Sequence, residues 1–270
     1  MTPPSWHPYP ATPSVVGTVL VGEPLEAPAL GRSVELLAWL PPGHEDGRSR
    51  RVIYMHDGAN LFDEATSNSG EWRVDETLTD LGADVVVVGI PNAGAERIAE
   101  YCPWPSLFDG RARGEEYAAF VVGTVMPMVE ATLPVAAGRW STGVMGSSLG
   151  GVISLFLFLR YPERFGFAGS MSTAAWYTPH LWEFLGGVRP NGGRVYLDVG
   201  TNETPEDPVA SRVYVESHRR LVEWFRSAGY DDRTLLAVEE PGAIHHESAW
   251  ARRLPAALRF LLGGPPAGVG

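Results

Sequence analysis

Gly146-Ser147-Ser148-Leu149-Gly150 stands between two segments of different character, and this context limits the folds open to the chain. Trp140–Met145 precedes it and can form a short buried strand, while Gly151–Leu159 follows it and is apolar enough for a buried helix. A G-x-S-x-G sequence between a strand and a helix predicts a sharp turn that leaves Ser148 exposed at its apex. The free N–H groups of the helix N-terminus favour negative charge beside that hydroxyl.

Strand-like and helix-like segments alternate along most of the chain. The predicted strands are Val15–Val21, Val34–Leu40, Arg51–Met55, Asp84–Ile90, Trp140–Met145, Phe167–Met171, Val195–Val199 and Thr234–Val238. The predicted helices are Trp72–Leu81, Glu115–Leu133, Gly151–Leu159, Val209–Ala228 and Ser248–Leu262, and Ser172–Pro190 is expected to be irregular. Asp84–Ile90 is the strongest strand, since its apolar run is typical of a parallel strand covered on both faces. The alternation predicts an α/β fold with a mostly parallel central sheet.

The 270 residues suit one large α/β domain or two small ones. We expect an extended, Pro-rich arm over residues 1–13, a single domain over 14–262 and a flexible tail over 263–270, because no linker composition interrupts the body.

Composition excludes several function classes. The net charge of −11 and the absence of a polybasic block argue against nucleic-acid or anionic-membrane partners. All 21 basic residues are arginine, which excludes Schiff-base lysine chemistry and a P-loop lysine. One cysteine, Cys102, excludes an internal disulfide and a Cys-rich metal cluster. The N-terminus has neither a basic nor an apolar signal region, so we expect a cytoplasmic protein, of an oligomeric state that the sequence does not give.

A serine hydroxyl is a poor nucleophile unless a base accepts its proton and an acid orients that base. Suitable residues follow Ser148 in the order acid, then histidine, each after a late strand. Four carboxylates compete for the acid, namely Glu203, Asp198, Glu206 and Asp207. We favour Glu203, which follows the strand ending at Val199, whereas Asp207 precedes Pro208 and suits a helix N-cap.

Two adjacent histidines, His245 and His246, compete for the base, and we favour His245 because it is nearer the end of the preceding strand. The other histidines are expected to be structural, with His56 the one possible exception. His245-His246-Glu247 lacks the helical spacing of a zinc site, so neither a metal nor another cofactor is predicted.

The oxyanion of an acyl-transfer intermediate needs two preorganised N–H donors. Leu149 supplies one, because it directly follows the nucleophile at the start of the helix. The other is expected from the loop His56-Asp57-Gly58-Ala59-Asn60, which follows a buried strand. As an isolated sequence, Asp-Gly is equally consistent with a plain turn.

Four segments together give the chain a specific resemblance. Met55–Phe62, Gly146–Gly151, Gly200–Glu203 and His245–Trp250 look like the putative-esterase family of α/β-hydrolases, which holds feruloyl and acetylxylan esterases, trilactone esterases and S-formylglutathione hydrolases. The resemblance covers roughly residues 30 to 262 and implies an α/β-hydrolase fold without a large cap domain. It implies Ser148, Glu203 and His245 as the triad, with the Ala59 amide as the second oxyanion donor. Many relatives carry Asp where this chain has Glu203, and often Tyr-Thr-Pro where it has Tyr101-Cys102-Pro103.

The substrate is less well defined by the sequence. Candidates for the pocket wall are Asn60, Arg97, Tyr101, Trp104, Trp176 and Trp182, since Trp and Tyr stack on sugar or phenolic faces. Large aromatics are also common in cores, and Arg97 could instead pair with neighbouring Glu100. We expect a serine carboxylic-ester hydrolase acting on a small, sugar or phenolic ester. The alternatives are an acyltransferase with the same triad, a peptidase and a catalytically silent binding protein.

Overall fold

A computed structural model describes residues 5–190 and 192–263; residues 264–270 of the predicted tail and residues 1–4 of the predicted arm lie outside them. A nine-stranded sheet runs through the molecule in the order β1-β2-β5-β7-β6-β8-β9-β10-β11, and β3 and β4 form a separate hairpin. The strands are β1 (Trp6–Pro8), β2 (Thr18–Gly22), β3 (Leu25–Ala27), β4 (Arg32–Val34), β5 (Leu37–Leu40), β6 (Arg51–His56), β7 (Val85–Ile90), β8 (Thr142–Ser147), β9 (Phe167–Met171), β10 (Arg194–Gly200) and β11 (Leu235–Glu240).

The six strands from β7 to β11 in this order are parallel, and β5, β2 and β1 extend the sheet antiparallel at one edge. The helices are α1 (Val74–Leu81), α2 (Arg97–Tyr101), α3 (Gly114–Phe120), α4 (Met126–Thr132), α5 (Leu149–Arg160), α6 (His180–Gly187), α7 (Pro208–Ser227) and α8 (Glu247–Leu261). The predicted α/β fold with a mostly parallel sheet is confirmed.

Both faces of the sheet are covered, and the sequence of β7 shows why. All six of its residues are buried. Val85 and Val87 pack in the core with residues of α1 and α8, whereas Val86 and Val88 pack in the other core with residues of α5. Since side chains alternate along a strand, a continuous apolar run is what a strand between two helical layers requires. Helix α5 is likewise apolar all round, and every residue from Leu149 to Leu159 is buried.

Three predicted segments differ from the structure. The single strand predicted over Val34–Leu40 is divided, because Val34 ends β4 of the hairpin and Leu37–Leu40 form β5 of the main sheet. The single helix predicted over Glu115–Leu133 is α3 and α4 joined by a π-helical turn at Val121–Val125. The segment predicted as irregular, Ser172–Pro190, contains α6. Helix α6 forms there because its apolar residues Leu181 and Leu185, four positions apart, both pack into the core.

The carboxyl ends of the parallel strands meet at one edge of the sheet, and the loops that leave this edge carry Asp57, Ser148, Ser172 and Glu203. None of the helices within residues 5–190 and 192–263 combines the length and apolar character needed to span a membrane.

Candidate active site

Ser148 occupies a strained turn between β8 and α5. Its backbone has φ 57° and ψ −122°, a conformation that side chains rarely adopt, and its N–H donates to the Met171 carbonyl at 2.9 Å. The turn is tight enough that a Cβ at Gly146 would lie 2.6 Å from the carbonyl carbon of Gly150. Glycine is therefore required there, and the turn holds Ser148 at the N-terminus of α5.

Glu203 lies buried just beyond the end of β10, with 2% of its surface exposed. Its Oε2 lies 2.6 Å from His245 Nδ1, and its Oε1 accepts hydrogen bonds from Ser172 Oγ at 2.6 Å and from the Gly200 amide at 2.5 Å. Burial acts to raise the pKa of this carboxyl, but the contacts with His245, Ser172 and Gly200 outweigh it and lower the pKa. Glu203 is therefore held as a carboxylate.

The other carboxylates considered for the acid have different surroundings. Asp207 Oδ1 accepts from the amides of Val209 and Ala210 and caps α7. Asp198 is fully buried in β10, where it pairs with Arg253 and accepts from Tyr196 Oη at 2.9 Å. Burial raises the pKa of Asp198 to about 6 against the opposing effect of Arg253. Glu206 is exposed to solvent.

His245 and His246 point to different partners. The His245 amide donates to the Glu203 carbonyl at 3.0 Å, so backbone and ring are both tied to that residue. The ring also packs edge-on against Trp250 and tilted against Tyr214, each with a centroid separation of 5.0 Å. His246 instead caps α8, since its Nδ1 accepts from the Ser248 amide at 3.1 Å. Only His245, of the two, contacts Glu203.

The two segments predicted to supply oxyanion donors leave the same edge of the sheet as Ser148. Leu149 is the first residue of α5, where the amides have no partner within the helix. Ala59 lies in a 3₁₀ turn, Gly58–Asn60, which directly follows β6 and Asp57. A Cβ at Gly58 would come within 2.8 Å of the Gly89 backbone, so this glycine lets the loop lie close against β7.

A cleft of about 330 Å³ opens at this edge of the sheet. The residues that line it are Asp57, Asn60, Asn68, Ser69, Asn92, Arg97, Ser147, Ser148, His245, His246, Glu247 and Trp250. Ser148 and His245 thus face the same space. The Tyr214 hydroxyl lies within hydrogen-bonding reach of Ser148. Burial raises the pKa of this phenol to about 12, and the hydrogen bond with Ser148 acts in the opposite direction.

Asn60 and Arg97, two of the predicted substrate contacts, line the cleft. Arg97 does not pair with Glu100, as the sequence suggested. Its Nε and Nη2 instead donate to the two oxygens of Asp57 at 2.6 and 2.8 Å. Glu100 is fully buried and binds Arg32 of β4. The pairing with a neighbour in sequence was wrong because Glu100 faces the core, where a strand distant in sequence supplies its cation.

The aromatic candidates lie outside the cleft wall. Tyr101 is fully buried, and its hydroxyl accepts from the Asp57 amide at 3.0 Å. Trp104 packs against Phe156 and Phe184, and Trp176 packs edge-on against Tyr214. Trp182 lies under the Arg220 guanidinium, 3.9 Å from its ring centroid. Core packing describes these residues better than substrate stacking, because Tyr101 is fully buried and the three tryptophans are half-buried against the core.

Several cleft and supporting residues were not found from the sequence, among them Asn68, Asn92, Ser172 and Glu247. Ser172 directly follows β9, so its position at the carboxyl edge was a usable signal. Asn68 and Asn92 lie in loops without a motif, and a single sequence offers no signal for them.

Three carboxylates outside the cleft lie close enough together to share a metal ion. Oxygens of Glu71, Asp75 and Glu76 lie within 4.8 Å of one another beside α1. Burial raises the pKa of Glu71 to about 7 and that of Asp75 to about 8, and the Val16 amide donates to Asp75. Bound protons can therefore offset the repulsion among these groups without a cation.

The chain is similar to several known proteins. The sequence profile of the family described as "Putative esterase" matches residues 27–261. The uncharacterized protein YbbA of Bacillus subtilis is 28% identical over 237 residues, which are 83% of this chain and 91% of that protein. The iron(III) salmochelin esterase of Escherichia coli is 29% identical over 185 residues, which are 62% of this chain and only 40% of that enzyme.

Solved structures share the fold at lower sequence identity. The ferric enterobactin esterase of Salmonella typhimurium superposes with a TM-score of 0.71 at 20% identity, covering 97% of this chain and 60% of that one. An IroE-like serine hydrolase from Shewanella oneidensis gives a TM-score of 0.69 at 18% identity, covering 87% and 78% of the two chains.

Proposed function

This chain belongs to the putative esterase family, and we propose that it is a serine carboxylic-ester hydrolase with Ser148, His245 and Glu203 as its triad. The observation that carries the proposal is the 2.6 Å contact between His245 Nδ1 and Glu203 Oε2, made at the rim of the cleft that Ser148 faces. A carboxylate on Nδ1 fixes the tautomer whose Nε2 is free to accept a proton, which is the state a serine nucleophile needs.

Acylation begins when Ser148 Oγ attacks the ester carbonyl and His245 takes its proton. The carbonyl oxygen becomes negative, and the amides of Leu149 and Ala59 are the proposed donors to it. The positive end of α5 adds to this stabilisation, because Leu149 is its first residue. His245 then returns the proton to the leaving alcohol, and an acyl-Ser148 ester remains.

Deacylation repeats these steps with water. His245 removes a proton from the water as it attacks the acyl-enzyme, and the same amides stabilise the second tetrahedral intermediate. Glu203 stays ionised throughout and balances the imidazolium, as expected for a buried carboxylate that accepts two further hydrogen bonds.

The substrate proposed from the sequence is a small, sugar or phenolic ester. The names of the relatives, which include salmochelin and enterobactin esterases, add siderophore esters as candidates. The match covers only 26% of the Escherichia coli enterobactin esterase. Hydrolysis of enterobactin is therefore a candidate activity for this chain that has to be tested.

The test is covalent labelling of the nucleophile combined with hydrolysis of p-nitrophenyl acetate. A fluorophosphonate should add once, on Ser148, and abolish hydrolysis. Ser148→Ala should lose several orders of magnitude in kcat, while Ser154→Ala, which changes a buried serine of α5, should retain activity. Retention of more than about a tenth of the activity in Ser148→Ala would refute this nucleophile. Product analysis with added alcohol acceptors separates hydrolysis from the acyltransferase alternative.

A further inference from the structure

Glu247 is a carboxylate in the cleft wall that the proposed triad does not use. It is the first residue of α8, two positions after His245, and only 7% of its surface is exposed. Its Oε1 lies 3.4 Å from Asn60 Nδ2, and its own backbone amide also donates to the carboxylate. An ionised carboxylate can accept about four hydrogen bonds, so part of its capacity is left for a ligand in the cleft.

The cleft, within the described residues, offers no cationic side chain that donates a hydrogen bond to this carboxylate. Among the described residues that line it, Arg97 alone carries a permanent positive charge. Its Nε and Nη2 donate to Asp57, which also accepts from Asn92 Nδ2 at 2.7 Å, so Arg97 acts on Glu247 only through its charge, without a hydrogen bond. Burial raises the pKa of Glu247, as expected for a carboxylate whose charge is poorly compensated. A ligand that donates a hydrogen bond to Glu247 would therefore offset part of the free-energy cost of desolvating this carboxylate.

Asn60 is held so that its amide complements this carboxylate. Its Oδ1 accepts from the Asn68 amide at 3.1 Å, which leaves Nδ2 directed at Glu247. Asn68, Ser69 and Asn92 continue the wall with uncharged groups that both donate and accept hydrogen bonds. The cleft beside Ser148 is thus polar and carries an excess of negative charge.

We propose that Glu247, oriented by Asn60, is a specificity-determining residue that selects esters bearing a hydrogen-bond donor, a hydroxyl or a protonated amine, close to the scissile bond. The same carboxylate discriminates against esters that are anionic at this position, because like charges repel strongly in a partly desolvated site. This inference rests on the proposed esterase function and narrows its substrate class.

One consequence concerns siderophore esters. A tris-catecholate bound to Fe³⁺ is multiply anionic, whereas its metal-free catechols are neutral near pH 7. A cleft with an uncompensated carboxylate, on a chain of net charge −11, disfavours the iron complex. We therefore expect the metal-free trilactone to be the better substrate of the two.

The test measures kcat/KM for methyl esters of matched size: methyl butyrate, methyl 3-hydroxybutyrate, methyl 3-aminobutyrate and monomethyl succinate. Propyl acetate and 3-hydroxypropyl acetate place the hydroxyl on the alcohol side instead. The wild type should prefer a donor-bearing ester over its plain counterpart by about tenfold in at least one series. Monomethyl succinate should fall about tenfold below methyl butyrate.

Glu247→Gln keeps the size of the side chain and removes its charge. Relative to methyl butyrate in the same variant, the amine ester should lose about tenfold and monomethyl succinate should gain about tenfold. The hydroxyl ester should change by less than about threefold, since the Gln carbonyl still accepts a hydrogen bond. Glu183→Gln, an exposed change on α6, is the matched control and should leave all ratios as they are.

Unchanged ratios in Glu247→Gln would overturn the inference, as would a wild type that hydrolyses monomethyl succinate as fast as methyl butyrate. Faster hydrolysis of the iron-loaded trilactone than of the metal-free one would also overturn it. Failure of the proposed function is a separate result, because it appears as hydrolysis of p-nitrophenyl acetate that does not depend on Ser148.

Discussion

Ser172 Oγ donates a hydrogen bond to Glu203 Oε1 at 2.6 Å, on the side of the carboxylate that faces away from His245. The direction of this bond follows from the other partners of the hydroxyl. Trp250 Nε1 at 2.9 Å and Arg253 Nη2 at 3.0 Å can only donate, so Ser172 gives its own proton to Glu203. The acid of the proposed triad is therefore held by a hydroxyl whose orientation is fixed by the Trp250 and Arg253 donors.

Ser172→Ala should weaken catalysis more than substrate binding. The change removes a hydrogen bond to a charged group, worth about 1.5–3 kcal/mol, so kcat should fall roughly 10- to 100-fold. The pKa of Glu203 should rise, and activity should be lost at a higher pH on the acid side than in the wild type. The measurements are kcat, KM and the pH profile.

Ser154→Ala is the control for that experiment, since Ser154 is equally buried and its hydroxyl bonds only to the Gly150 carbonyl of its own helix. A Ser172→Ala enzyme with an unchanged kcat and pH profile would show that the hydroxyl does not position Glu203.

Glu203→Gln should lower kcat by a factor of roughly 10² to 10⁴, with little change in KM. If the NH₂ group of the new amide turns toward His245, it faces the N–H of that ring. If the carbonyl turns that way, the NH₂ group instead faces the Gly200 amide, so in either orientation two donors face each other. Asp207→Asn should cost little, because Asn caps a helix about as well as Asp. Steady-state kinetics of the two variants test which carboxylate orients His245. An inactive Asp207→Asn enzyme together with an active Glu203→Gln enzyme would assign the role to Asp207 instead.

Arg97→Met should destabilise the fold, because it leaves the buried Asp57 carboxylate without its cation. We expect a loss of about 3 kcal/mol in the free energy of unfolding. Adding Asp57→Asn should recover part of that loss, because the unpaired charge is then gone. Urea unfolding of both single variants and the double variant measures the coupling, and additive effects would show that the two side chains do not stabilise each other.

Stability should fall as the pH drops below about 6.5, in part because of two buried histidines. Burial lowers the pKa of His56 to about 3 and that of His218 to about 4. An unfolded histidine titrates near 6.5, so between these values the unfolded state binds protons that the native state does not. The free energy of unfolding therefore decreases as the pH falls, by up to about 1.4 kcal/mol per pH unit for each group.

His56→Gln should flatten this dependence between about pH 4 and 6.5, whereas His180→Gln, at an exposed position, should leave it as in the wild type. Chemical unfolding at several pH values gives the slopes, and equal slopes for wild type and His56→Gln would contradict the contribution of His56.

The sequence determined the α/β class, because that information is local. The continuous apolar run of β7 requires two covered faces, and the glycines around Ser148 permit only a tight turn. The order of Ser148, Glu203 and His245 could also be read from the chain, since each follows a strand whose end lies at the same edge of the sheet. These conclusions need only the periodicity of side chains and the chemistry of turns.

Only the tertiary structure decided which polar groups meet. Arg97 pairs with Asp57, forty positions away, rather than with Glu100, and Ser172 reaches Glu203 from a different strand. Tyr101 was predicted at the pocket wall but is buried behind it. Such pairings depend on how strands distant in sequence are ordered in the sheet, and on which face of each short segment turns inward. The spacing of residues along one chain gives neither the order of the strands nor the face of each segment that is buried.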